Sequence, residues 1–152
     1  MESHARSREQ RQRDTLDRLG KDVDAWVATA GTDGDPYLVP LSFLWDGATL
    51  LFATPSASST GRNLAASGKA RVALGGTRDV VLIEGELTET VPAGEIPADL
   101  GDRFADRTGF DPRQSSSAFA YFCIRPVRIQ AWREENELTG RDLMRGGEWI
   151  AS

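Results

Sequence analysis

Two Asp-Gly pairs, Asp33-Gly34 and Asp46-Gly47, stand between runs of alternating apolar residues, and they constrain the chain more than any other feature. An Asp-Gly pair between period-two runs marks a tight hairpin, because glycine takes the left-handed conformation such a turn requires. The run before the first turn starts at Asp22, carries Val23, Ala25 and Val27 in one phase and ends at Gly31. The second run, residues 37–45, sets Tyr37, Val39, Leu41, Phe43 and Trp45 on one face, and the third covers residues 49–54. Three strands joined in this way form an antiparallel meander.

The pattern continues with a short helix over residues 60–67, a strand over 70–74, a Gly75-Gly76 break and a long strand over 79–90. In that strand Val81, Ile83, Gly85 and Leu87 share a face, while Val80 and Leu82 make the other face apolar too, which suits a central or barrel position. Residues 97–108 read as a helix, with proline near the first turn, Leu100 and Phe104 four apart, and Gly109 as the cap. The last strand spans 119–133, and its inward phase switches at Pro126, as at a β-bulge or barrel corner. Six strands in hairpins with short helices describe a mainly β protein, a small antiparallel barrel with helical decoration. Ahead of it, residues 6–19 read as a helix closing at Gly20, with Arg6, Arg8, Arg11 and Arg13 on a solvated face.

A length of 152 residues suits one domain, divided here into an N-terminal helix or arm (residues 1–20) and a barrel domain (21–152). The net charge of -5 makes nucleic acid a poor partner, and no apolar run reaches the roughly 18 residues that span a bilayer. With no signal-peptide pattern either, a cytoplasmic protein is expected. One cysteine, Cys123, and one histidine, His4, leave neither a disulfide, a thiolate metal cluster nor a triad with a well-placed base. No metal site is expected.

Three features carry possible chemistry. Ser56, Ser58, Ser59 and Thr60, followed by Arg62 and Asn63, open a helix whose amide donors, hydroxyls and guanidinium suit a phosphate or carboxylate; helix capping alone accounts for the same hydroxyls. Pro40 interrupts a strand and so requires an edge, a bulge or a ligand beside it. Trp132 and Trp149, near Arg133, Arg141 and Arg145, either flank a planar anion or pack a tail, with Glu134, Glu135 and Glu137 facing solvent or pairing with those arginines.

The order Gly34-Asp35-Pro36-Tyr37-Leu38-Val39-Pro40, Phe43-Leu44-Trp45-Asp46-Gly47, Leu50-Leu51-Phe52-Ala53-Thr54 and Arg62-Asn63-Leu64 resembles the pyridoxamine 5'-phosphate oxidase-like family of FMN-binding split barrels. It is most similar to the flavin and deazaflavin oxidoreductase branch, and the likeness runs from about Val23 to Trp149, through the closing segment 128–134. The resemblance implies a six-stranded antiparallel split β-barrel that forms a homodimer with coenzyme F420 or FMN at the subunit interface. It places Val39, Pro40 and Leu41 along the ring system, and Ser58, Ser59, Thr60, Arg62 and Asn63 at the phosphate, with Trp149 also in the cofactor site. Thr60 stands where many relatives have a lysine. The implied activity is hydride transfer between the cofactor, reduced F420 ahead of FMN, and a small planar electron-poor substrate. The alternatives are non-catalytic binding or storage of flavin, F420 or haem, and a true pyridoxamine 5'-phosphate oxidase. Independently of the resemblance, apolar residues on both faces of 80–83 and of 121–124 exceed what one core requires, which also points to a dimer.

Overall fold

The structure is a computed structural model and describes residues 4–151; the expected arm at 1–3 and the last residue of the expected barrel domain lie outside the described residues. Its elements are α1 (Arg8–Lys21), β1 (Asp24–Ala30), β2 (Pro36–Trp45), β3 (Leu50–Pro55), α2 (Ser59–Ser67), β4 (Lys69–Leu74), β5 (Val80–Pro92), α3 (Ala98–Thr108), β6 (Phe119–Trp132), β7 (Asp142–Arg145) and β8 (Glu148–Trp149). The strands run in the order β3-β2-β1-β4-β5-β6, all antiparallel, and β3 pairs with β6 to close a six-stranded barrel.

Both Asp-Gly turns form as the sequence requires. Gly34 and Gly47 have φ of 80° and 102°, and the Asp46 carboxylate accepts from the amides of Ala48 and Thr49 at 2.9 and 2.7 Å. The inward phase of the meander follows the apolar alternation: Ala25, Val27, Phe43, Leu50 and Phe52 enter the barrel core with Val72, Leu74, Val81, Ile83, Phe122 and Ile129. The phase switch in β6 is a bulge, since Gly85 faces Pro126 and Glu84 faces Arg128, leaving Val127 as the extra residue. Ahead of it Phe122 and Ile124 point inward, and after it Ile129 and Ala131 do.

The apolar excess at 121–124 has an owner within the chain. Tyr121 turns away from the barrel interior into a second core with Leu44, Leu51, Ala93, Ile96 and Phe104, where α3 lies over the outside of the barrel. The Phe104 ring meets the Tyr121 ring edge-on at 5.4 Å. That segment therefore no longer argues for a dimer. The excess around residues 80–83 stays uncovered: Leu82 is exposed, beside Trp26 and Leu38.

Three sequence expectations are corrected near the termini. Helix α1 runs through Gly20 to Lys21, and its cap is the extended Asp22 (φ -67°, ψ 145°), because β1 begins two residues later and leaves no room for a left-handed turn. Its arginines do not share one solvated face: Arg13 is exposed, Arg8 is half-buried and Arg11 is buried. Arg11 is 5% exposed, in one buried stripe with Thr15 and Leu19, and donates to the carbonyls of Ala131, Glu137 and Gly140 at 3.1, 2.8 and 3.3 Å. Glu137 is buried rather than solvent-facing, and its side chain pairs with Arg6 at 2.8 Å. The four carbonyls and carboxylates left where β6 ends attract guanidinium donors, which explains why arginines enter an otherwise apolar joint. The sequence reading also missed the short hairpin β7–β8, which adds to the edge of β6 beyond the stretch that β3 occupies.

Candidate functional site

Strand β2 lies against β1 along residues 36–42, whereas β3 pairs with it only from Phe43 to Trp45. The outer edge of residues 36–42 is thus left without a strand among the described residues. The Phe43 amide donates to Val23 at 2.9 Å, on the β1 side. Since successive backbone groups in a strand point to opposite sides, those of Val39 and Leu41 also face β1, and those of Leu38 and Pro40 face the open edge. Pro40 therefore removes a donor where no strand needs one, and its carbonyl remains free to accept. Val39 and Leu41 are half-buried on this strand, while Leu38 supplies an edge amide and a 60% exposed side chain.

Helix α2 follows the end of β3 and packs on β1, β2 and β3, so its amino end lies on the side of the barrel where β2 and β3 part. The turn leading into it is tight. A Cβ on Gly61 would fall 2.7 and 2.8 Å from the carbonyl oxygens of Ser56 and Pro55, so only glycine allows this approach. Ser58 is the cap; its hydroxyl accepts from the Gly61 amide at 3.0 Å and meets the Thr54 hydroxyl at 3.2 Å. Asn63 donates to the Thr29 hydroxyl at 3.1 Å and ties the helix to β1. Ser58 and Asn63 are thereby committed to building the site.

Ser59, Thr60 and Arg62 have no such commitment. Ser59 is half-buried, Arg62 is exposed and in no ion pair among the described residues, and the first turn carries no acidic residue. Thr60 is 2% exposed, and its hydroxyl has no hydrogen-bond partner among the described residues. The amino end of a helix offers unpaired amides and partial positive charge, so this turn can receive an anionic group from hydroxyls, amides and one guanidinium.

Trp149 lies elsewhere, in β8 opposite Met144, packed against the barrel core. Trp132 carries the Arg141 guanidinium over its ring at 5.7 Å, so the aromatic-arginine pattern near the carboxyl end is at least partly internal packing. Two hollows, of about 470 and 230 Å³, lie on the outer face of β1, β4 and β5, and none of the residues expected from sequence to bind a cofactor lines either. The smaller one is bordered by Trp26, Leu38 and Leu82. Among the described residues no three His, Cys, Asp or Glu side chains gather as a metal centre, and no helix is long and apolar enough to cross a membrane. Burial raises the Cys123 thiol above its ordinary range, with Glu89 and Asp46 adding to the effect, which makes it a poor nucleophile.

The family model for pyridoxamine 5'-phosphate oxidase matches residues 18–133. The chain belongs to this family. No curated protein sequence matches it. Among solved structures it is similar to an F420 reductase, at 20% identity over 74% of this chain and 93% of that one, with a TM-score of 0.62. A haem-binding protein from Mycobacterium smegmatis shares 17% identity over 95% of this chain and 60% of its own, with a TM-score of 0.65. An FAD-binding protein from Mesorhizobium loti shares 17% identity over 84% and 93%, with a TM-score of 0.63. At these identities the likeness is one of fold.

Proposed function

We propose that this family member is an oxidoreductase that binds a flavin or deazaflavin, with coenzyme F420 ahead of FMN, and transfers a hydride to or from a small planar substrate. The observation that carries the reading is the pairing of an open β2 edge with an uncommitted anion-receiving turn at the start of α2 in a barrel of this family. A planar ring system has backbone acceptors and donors at Leu38 and Pro40, and its phosphate has Ser59, Thr60 and Arg62. The cofactor supplies the hydride chemistry when bound, which agrees with a chain that has one histidine, ahead of α1. The protein's part is orientation along the edge and exclusion of water.

The reading includes a homodimer. Pro40, Trp26, Ala73 and Leu82 are successive cross-strand neighbours on the outer face, and Leu38 and Ala28 adjoin them. Trp26, Leu38 and Leu82 are 47%, 60% and 38% exposed. An apolar face that continues into the open edge suits a second copy, which would cover the ring from the other side.

Titration of the purified chain with FMN and with F420, followed by absorbance and fluorescence, tests the cofactor; oxidation of the reduced cofactor by nitroaromatic or quinone acceptors tests turnover. Binding of either with turnover is the expected result, whereas binding without turnover of any acceptor would leave a carrier. A chain that binds haem in preference to both would overturn the proposal.

A further inference from the structure

Residues 97–115 are tied to one another by polar contacts that stay within the segment. Arg113 donates from Nε and Nη2 to the two Asp111 oxygens at 2.8 and 2.9 Å, and it reaches α3 through Asp102 at 2.8 Å and the Ala98 carbonyl at 3.4 Å. Its guanidinium lies across Gly101, where a Cβ would fall 2.6 Å from Nη1, so this clasp closes on a glycine. The Thr108 hydroxyl donates to the carbonyls of Phe104 and Phe110, and the backbone bonds of residues 101, 109, 114 and 115 are likewise internal. Among the described residues no hydrogen bond or ion pair joins this segment to a strand; Arg103 acts on Asp46, in the turn between β2 and β3, through its charge alone.

What holds the unit on the barrel is apolar contact. Phe104 and Ile96 enter the second core, Leu100 packs at its border, and the Phe110 ring tilts against Phe119 at 5.3 Å. The same docking opposes itself at one atom. It seals the Tyr121 hydroxyl without a hydrogen-bond partner, on a ring that meets Phe104 edge-on. A phenol that leaves water and gains no partner counts against the docked state. The helix adds little stability of its own, since its amino end has no side-chain cap, where α1 and α2 have Ser7 and Ser58, and a glycine stands in its interior.

We propose that residues 97–115 form a detachable cover, which lifts from the barrel as one piece and delivers the Tyr121 hydroxyl to solvent while the barrel stays closed. The pairing of β3 with β6 does not involve the segment, so residues 50–55 and 119–124 keep their register when it leaves. The uncovered surface carries Leu44, Leu51 and Ala53, on the strands that lead to the β2 edge and into the α2 turn. Opening thus presents an apolar surface with one phenolic donor next to the candidate site, whatever that site binds.

Native-state hydrogen exchange of the full chain, read residue by residue by NMR in low concentrations of urea, tests the cover. The amides of residues 101–109 should exchange at one common rate, about tenfold or more faster than those of β1, β4 and β5, with a shallower dependence on urea. Tyr121→Phe keeps the ring against Phe104 and removes the hydroxyl, so the common rate should fall by about fivefold or more. Exchange of α3 in step with the barrel strands, with the same urea dependence, overturns the cover, and a rate graded along α3 from its ends overturns the single piece. A Tyr121→Phe rate equal to or above that of the parent also overturns the proposal, because the hydroxyl is then not released by the opening. Should Tyr121→Phe fail to fold, Phe104→Leu is read in its place: it loosens the apolar seal and should raise the common rate by about threefold or more while β4 and β5 stay protected, and an unchanged rate overturns the cover.

Discussion

Replacing Glu137 by Gln should cost about 3 kcal/mol at neutral pH, and the cost should shrink in acid. The Glu137 carboxylate accepts from the backbone amide, Nε and Nη2 of Arg6 at 2.8, 2.9 and 2.8 Å, and from the Arg133 amide at 2.8 Å. The Arg6 guanidinium, opposed in part by burial, holds its pKa at about 2 in place of the ordinary 4.5. Each pH unit of that displacement is worth about 1.4 kcal/mol, which gives the figure of about 3 kcal/mol. Because the folded-state pKa is depressed, this stabilisation is complete above about pH 4.5 and disappears as the pH falls through about 2. Midway, at pH 3, about half should remain. Urea unfolding of parent and variant at pH 7, 5, 4 and 3, followed by tryptophan fluorescence, measures the difference directly. A gap that stays constant from pH 7 to pH 3, or is smaller than about 1 kcal/mol at pH 7, would refute the assignment of a charge-dependent clamp to this residue.

Three further outcomes are expected. Arg62→Ala should weaken FMN or F420 binding by about tenfold in titration and leave the melting temperature unchanged, since a charge-assisted bond is worth roughly 1.5–3 kcal/mol and the side chain is exposed. Gly61→Ala should lower stability by about 1–3 kcal/mol in urea unfolding, because its Cβ would press on backbone oxygens at 2.7 and 2.8 Å, and should weaken cofactor binding in the molecules that remain folded. Leu38→Asp combined with Trp26→Glu should shift the chain from dimer to monomer in light scattering with little effect on secondary structure; a parent chain that is already monomeric at micromolar concentration would remove the proposed interface.

The barrel was legible in the sequence because its rules are local. Asp-Gly turns, period-two runs and the phase switch at Pro126 each depend on a few neighbouring residues, and each is found where those residues put it. The joint between the termini was illegible for the opposite reason. An arginine four residues from Thr15 and eight from Leu19 reads as solvated until carbonyls of residues 131, 137 and 140 are brought to it. The cover over Tyr121 was missed in the same way, since an apolar outer face looks alike whether α3 or another molecule lies on it. At the site, sequence does not say which hydroxyls are already engaged. That distinction separated Ser58 and Asn63 from Ser59, Thr60 and Arg62, and strand direction turns the backbone groups of Leu38 and Pro40, rather than those of Val39 and Leu41, to the open edge.

The docking of α1 has a consequence for the order in which the chain can acquire its structure. Its buried stripe meets β6 and the segment up to Gly140, partners that lie 120 to 129 residues further along the chain. On a ribosome, the helix emerges first and waits until nearly every other element has been made. The barrel likewise closes late, because β3 needs β6 as its neighbour. Contacts of such long range are slow to form and leave apolar strand edges uncovered meanwhile. A version of the gene that moved the residues of α1 to follow β8 would place helix and partners together in time, and its product should refold faster than the natural order while reaching the same final barrel.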